Sequence, residues 1–173
     1  MTDMLPHLAR PMRRWISRAL VRGANSQALC TSFKKEILMA IHALGTTVAR
    51  GGTGADTIKA ALFLASASLG AGTTAYSSSG EVSGTGYSAG GVTVTNANPP
   101  DATGTTAFWT PSASIVYTTV TLGTAFDAVL LYNSTQSNKA ISVHTFGSQT
   151  ITAGTFTLTM PTNDASTGLI RIA

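Results

Sequence analysis

Apolar and polar side chains alternate most plainly along Thr155-Phe156-Thr157-Leu158-Thr159-Met160, where three apolar groups face one way and three threonines the other. A period of two puts successive side chains on opposite faces, so this segment predicts a half-buried antiparallel strand. Phe126–Tyr132 is apolar on both faces and predicts a central strand. Further strands are predicted at Thr57–Phe63, Gly91–Thr95, Ala107–Thr110, Ile115–Leu122, Lys139–Phe146 and Leu169–Ile172, with Thr150–Met160 broken or bulged at Ala153-Gly154. Asn133 to Asn138 (NSTQSN) has turn composition and predicts a hairpin between the strands that flank it.

Helical periodicity is confined to the N-terminal part. Phe33, Ile37, Ile41 and Leu44 make one apolar stripe, Thr31 or Ser32 is placed to cap it, and Gly45 stands where the helix is expected to stop. His42 is expected at the surface or edge of this helix. Upstream, Pro11 suits a helix start, Arg14, Arg18 and Arg22 recur every four residues, and Met12, Trp15, Ile16 and Leu20 fall on another face. That stretch reads either as a short basic amphipathic helix or as a solvated leader.

These patterns divide the chain into a basic arm (1–25), a helix (26–45), a Gly/Thr-rich connector (46–56) and a β domain (57–173). Seven or eight short strands with no interleaved helices predict a mainly β fold, an antiparallel sandwich or jelly-roll-like body with one packed N-terminal helix. At 173 residues, one such domain buries a sufficient core without disulfide or metal.

Composition sharpens this picture. Charged residues are only 10% of the chain, against about 25% in typical soluble domains, while Ser and Thr number 45. With 43% apolar residues and a net charge of +4, the chain is not expected to be disordered throughout. The charge is uneven: residues 1–35 carry +6 and residues 36–173 carry −2. A lone Cys30 and three scattered histidines predict neither an internal disulfide nor a structural zinc site, and no cofactor is expected. The longest nearly apolar run, Ala60 to Ala67, is far below the roughly 20 residues of a spanning helix, so no membrane span is expected. The arginine-rich start lacks the apolar stretch and cleavage site of a secretory signal.

The sharpest catalytic pattern is Gly86-Tyr87-Ser88-Ala89-Gly90, a G-x-S-x-G with Asp127 and His144 following in the order of a serine hydrolase triad. An elbow needs a strand before the serine and a helix after it. Ser77 to Thr85 is Ser/Gly-rich and Gly91–Thr95 reads as β, so a Ser88 hydrolase ranks last. The glycines of Gly52-Thr53-Gly54 and Gly84-Thr85-Gly86 lack the spacing and setting of a phosphate loop. Asn133-Ser134-Thr135 is a glycosylation sequon by letters. The aromatic residues Phe108, Trp109, Tyr76, Tyr87, Tyr117 and Tyr132 are assigned to packing ahead of an aromatic binding face, and Lys139 and His144 to strand positions facing solvent or a neighbour.

Sparse charge leaves β edges and faces poorly protected against association, which points to a protein that functions assembled. CTSFKKEILMAIHAL (30–44), DTIKAALFLASASLGAGTTAYSSSGEVSGTGYSAGG (56–91), AVLLYNSTQSNKAISVHTFGSQTITAGTFTLTMP (128–161) and LIRI (169–172) together resemble a family of small virion structural proteins of tailed bacteriophages. The resemblance covers residues 26–173. It implies a non-enzymatic component of the phage particle, a capsid decoration or cement protein or another head-associated part, found in the virion and before assembly in the host cytoplasm. The implied partners are its own copies, as a homo-oligomer, and other virion proteins such as the major capsid protein. Residues 1–25 are extra to that pattern. Arg10, Arg13, Arg14, Arg18 and Arg22 there are candidates for sequence-independent contact with packaged DNA through phosphates. The alternative is a tail or fibre component binding the host surface through loops Ser77–Gly90, Asn96–Thr105 and Asn133–Asn138.

Overall fold

A computed structural model describes residues 24–45 and 54–173. Residues 1–23 of the arm, with its five arginines, and most of the connector lie outside the described residues.

The described chain is mainly β, with two antiparallel sheets and one short helix. In order the elements are β1 (Ala28–Leu29), α1 (Thr31–Leu38), β2 (Ile58–Leu64), β3 (Val92–Thr93), β4 (Asp101–Thr103), β5 (Thr106–Trp109), β6 (Ile115–Asn133), β7 (Lys139–Leu158) and β8 (Ile170–Ile172). The larger sheet has the order β1-β7-β6-β2-β3, the smaller β4-β5-β8.

The two pairs of strands predicted on either side of Gly123 and Gly147 are in fact single strands. β6 and β7 form one long hairpin, closed by residues 134–138 as its turn composition predicts. On a straight strand Ile115 and Leu131 would lie about 54 Å apart. Instead they and Val129 line one hollow of about 140 Å3, so the ribbon doubles back. Register shifts cluster between Tyr117 and Ala128, and Thr119 and Ala153 adopt positive φ there (53° and 46°). Bulges of this kind bend a strand and raise its twist, and here they make the corner. The phenyl groups close it: Phe156 lies 5.1 Å from Phe126 and 5.2 Å from Phe146, centroid to centroid.

Register assigns the two faces of the sheet. Ile58, Ala60 and Leu62 sit opposite Asn133, Leu131 and Val129 on a first face; Lys59, Ala61 and Phe63 sit opposite Tyr132, Leu130 and Ala128 on the second. Trp109 and Ile170 of the small sheet, Phe33 of α1 and Leu44 share one buried apolar cluster with these strands. Asn25 fastens the start of the described chain, donating to Leu64 O (3.0 Å) and Asp127 Oδ1 (2.7 Å) and accepting from Leu69 N (3.0 Å).

The helix is shorter than its apolar stripe predicts. It ends at Leu38; Ala40 turns left-handed (φ 53°), and residues 41–44 are not helical. Glu36 and His42 explain the break. Six residues apart on a continuous helix they would point about 120° from each other, whereas here they are hydrogen-bonded at 2.9 Å. Neither Thr31 nor Ser32 caps the helix: Cys30 is the N-cap residue and makes no side-chain cap bond, and Thr31 N donates instead to Ala71 O (2.9 Å). Gly45 does not stop the helix; at φ 80° it packs where a side chain would collide with Asn98 and Pro99.

Gly91 has the tightest backbone approach. At φ 68° it lies against β2, and a Cβ there would run into the Ala60 carbonyl. Gly91→Ala is expected to cost about 2–4 kcal/mol, read from urea unfolding midpoints. A loss below about 0.5 kcal/mol, the range of ordinary surface substitutions, would show that the close approach is dispensable.

Candidate functional site

All four tyrosines of the chain gather at one carboxylate. The outer edge of β2 is capped by residues 80–82 and 94, through Leu64 N to Gly80 O, Val82 N to Leu62 O and Val94 N to Ile58 O. This cap places buried Glu81 beside the sheet. Glu81 Oε2 accepts from Tyr76 Oη (2.7 Å), and Oε1 accepts from Tyr87 Oη (2.7 Å) and Gly90 N (2.8 Å). Tyr87 Oη in turn accepts from Leu62 N (3.0 Å). Tyr132 Oη donates to Gly90 O (2.7 Å), Tyr117 Oη to Ala60 O (2.8 Å), and the rings stack in pairs, Tyr76 on Tyr132 and Tyr87 on Tyr117. Burial, reinforced by the neighbouring carboxylate, raises all four phenol pKa values and keeps the hydroxyls protonated as donors. The aromatic residues therefore pack, as their sequence assignment predicts.

This network decides where the G-x-S-x-G segment sits. Tyr87 points inward to Glu81, while Ser88 lies exposed in a turn closed by Gly91 N to Ser88 O (2.9 Å). No strand of the named set delivers Ser88 and no helix follows it. His144 pairs with Val129 and so belongs to the first face, whereas the turn carrying Ser88 is held by Tyr132 from the second. Asp127 is bound by Asn25. The structure does not bring Ser88, Asp127 and His144 together. The neighbour of His144 is Ser142, with Oγ and Nε2 2.9 Å apart, and burial holds this imidazole near pKa 4, neutral at pH 7.

A second polar cluster lies where α1, the start of β2 and the hairpin end meet. The expectation of a surface His42 is overturned: its side chain is 1% exposed. Asn133 donates to His42 Nδ1 (3.1 Å), so Nε2 carries the proton and donates to Glu36 Oε2. Glu36 also pairs with Lys139, and Asp56 Oδ2 accepts from Asn133 Nδ2 (2.7 Å) and Ala43 N (2.8 Å). Burial lowers the His42 pKa despite the facing carboxylate. Burial alone would raise Glu36, but hydrogen bonds from Lys139 and His42 outweigh it and hold the carboxyl below its usual value. Asn133 is fully buried with its amide committed to Asp56 and His42, so the sequon has no room for a glycan in the folded protein.

The loops expected to carry contacts are fastened to the body. Ser77–Gly90 is tied down through Glu81 and Tyr87; in Asn96–Thr105, Asn96 Oδ1 accepts from Gly45 N (2.7 Å) and Asn98 donates to Thr110 O (3.0 Å). In Asn133–Asn138, Thr135 Oγ1 accepts from Thr57 N (2.8 Å). Among the described residues no group of three His, Cys, Asp or Glu is placed to hold a metal, and no helix is long and apolar enough to cross a membrane. Cys30 is buried, and burial pushes its thiol up to about 11. No family model, curated protein or solved structure matches the chain.

What stays open to other molecules is the outer surface. Leu38, Met39, Val116 and Ile172 are large apolar side chains left exposed. Residues 102–163, which include β5, β6 and β7, contain only two ionised side chains, Asp127 and Lys139, and both are engaged, by Asn25 and Glu36. Beyond the contacts of β1 at Ser142–Val143 and of residues 74–76 at Asn138–Ala140, no strand among the described residues pairs with the outer edge of β7, whose residues from Gly147 to Gln149 are exposed.

Proposed function

We propose that the protein is a structural component of a tailed-phage particle, a decoration or cement subunit of the head that acts through contacts with its own copies and with the major capsid protein, without catalysis or cofactor. The observation that carries this reading is the folded-back ribbon: residues 102–163 hold only two ionised side chains, Asp127 and Lys139, and much of the outer edge of β7 has no strand beside it. Monomeric β proteins blunt such edges with charge or proline; an edge left bare suits a molecule whose neighbours cover it. We read the two sheets as a small sandwich of jelly-roll type, because Trp109 and Ile170 of one share a core with the other. On this reading Arg10, Arg13, Arg14, Arg18 and Arg22 face packaged DNA and hold phosphates without sequence preference.

Gradient-purified particles of a phage encoding this chain are expected to contain it in fixed ratio to the major capsid protein, and particles lacking it to release DNA at lower temperature. Absence from purified particles, together with a monomer at high concentration, would overturn the reading. Localisation to the tail tip, with host adsorption lost when loops 77–90 or 96–105 are altered, would select the receptor-binding alternative.

A further inference from the structure

The body has a second unusual surface, different in character from the sparsely charged ribbon. Leu38 is 88% exposed and Met39 59%, two consecutive large apolar residues at the end of α1, with Ile172 43% exposed on β8. Beside them two hollows run together, sharing Ile37 and Ile172. One, about 220 Å3, is lined by Phe33, Leu44, Phe108 and Trp109 among others; the other, about 450 Å3, is bordered by Leu38, Lys34 and Arg171. Exposed apolar surface that continues into a formed hollow is the usual mark of a docking site rather than of scattered surface leucines.

Charge indicates the occupant. Of the five described lysines and arginines, Lys139 is paired with Glu36, and Lys59 lies on the second face in register with Tyr132. Of the other three, Lys34 and Arg171 border this trough, while Lys35 lines a separate hollow with Glu36, Met39 and Lys139. Among the described residues none of the three has an acidic side-chain partner; Arg171 reaches the backbone oxygens of Ser166 (2.6 Å) and Ala165. We infer that the trough between α1 and β8 docks an acidic segment of another protein, one that seats an apolar side chain between Ile37 and Ile172 and sets carboxylates against Lys34 and Arg171.

The chain itself offers no such segment. Its seven acidic residues are isolated along the sequence, with Glu36, Asp56 and Glu81 buried, and the 23 residues before Ala24 hold five arginines against one aspartate. The chain's own start would bring positive charge to a positive rim, and a second copy would offer only single, isolated carboxylates. The inference rests on the proposed role within a larger assembly for the source of the partner, but its test uses the isolated full chain, so a failed titration and an absence from particles are separate results.

The probe is a fluorescein-labelled helical peptide with leucines at i, i+3, i+4 and i+7 and glutamates elsewhere, titrated into the 15N-labelled chain. Binding is expected to weaken about tenfold when lysines replace the glutamates and about fivefold between roughly 50 and 300 mM salt. The Trp109 indole N–H resonance should shift on binding. Leu38→Asp with Ile172→Asp should abolish binding, and Lys34→Glu with Arg171→Glu should lower it about tenfold. If the first pair fails to fold, Leu38→Ser carries the same test, since that side chain makes little of the core. Equal binding of both peptides, no binding at about millimolar peptide, or binding unmoved by the variants would overturn the inference. So would a Leu38→Asp variant that converts an oligomer into a monomer, which names a second copy as the occupant, or one that loses binding to phosphatidylglycerol vesicles while the peptide never bound.

Discussion

Replacing Glu81 with alanine is expected to destabilise the protein by about 3–5 kcal/mol, a large part of the 5–15 kcal/mol of a typical domain. The variant strands two phenol hydroxyls and the Gly90 N–H at a site where the carboxylate now accepts all three. Glu81→Gln should cost only about 1–2 kcal/mol. An amide oxygen at the Oε1 position still accepts from Tyr87 and Gly90, and its NH2 can donate to a rotated Tyr76 hydroxyl. Urea unfolding separates the two cases, and equal losses would show that volume, not acceptance, is what Glu81 supplies. The same cluster sets an alkaline limit. Phenol pKa values raised in the folded state mean that the unfolded chain loses its protons first, so stability is full below about pH 10 and falls above it.

Acid should act through the histidines. Both His42 and His144 have folded-state pKa values below the ordinary 6.5, His144 near 4. The unfolded chain therefore takes up protons first, and stability present above about pH 6.5 is lost as the pH falls toward 4. For His144 alone the difference amounts to about 3 kcal/mol. Glu36, whose pKa is lowered, loses its contribution in the same direction below about pH 4.5. In His144→Asn the unfolding free energy should change less between pH 7 and 5 than in the parent. An unchanged slope would remove His144 as the cause.

The hydrophobic pattern makes most of the strands legible, because alternation and apolar runs report directly on burial. Phe126–Tyr132 and Lys139–Phe146 lie in the two strands that dominate the larger sheet. The pattern does not reveal that each continues through a corner. Gly123 and Gly147 look like turn residues, and a bulge inside a strand has the same local chemistry as a break between two. The missed strands, Ala28–Leu29 and Asp101–Thr103, are too short to show a period. The helix was over-extended for a different reason: Ile41 and Leu44 continue its stripe, but the buried pairing of Glu36 with His42 and Lys139 prevails over periodicity.

The polar clusters were illegible because their members are far apart in sequence. Asp56 and Asn133 meet across 77 residues and Lys139 and Glu36 across 103. One signal was available: Glu81-Val82 is a carboxylate in an otherwise Ser/Gly-rich stretch flanked by Tyr76 and Tyr87, a spacing that lets two phenols reach one acid. By contrast the G-x-S-x-G letters, the most familiar pattern in the chain, describe a loop whose tyrosine is the anchored residue and whose serine is not.

The doubled-back hairpin also bears on how the molecule comes together. Its closing turn, 134–138, is local, so the β6–β7 ladder can zip outward from it on the microsecond scale of hairpins. Asn25 must then find Leu64 and Asp127 across 39 and 102 residues of sequence. On a ribosome the order is reversed, since that asparagine emerges first and waits for the ribbon to be synthesised. The latch at residue 25 is thus expected to form after the hairpin, and the hydrogen-exchange rate of Leu69 N–H, which it protects, reports when this end of the molecule is shut.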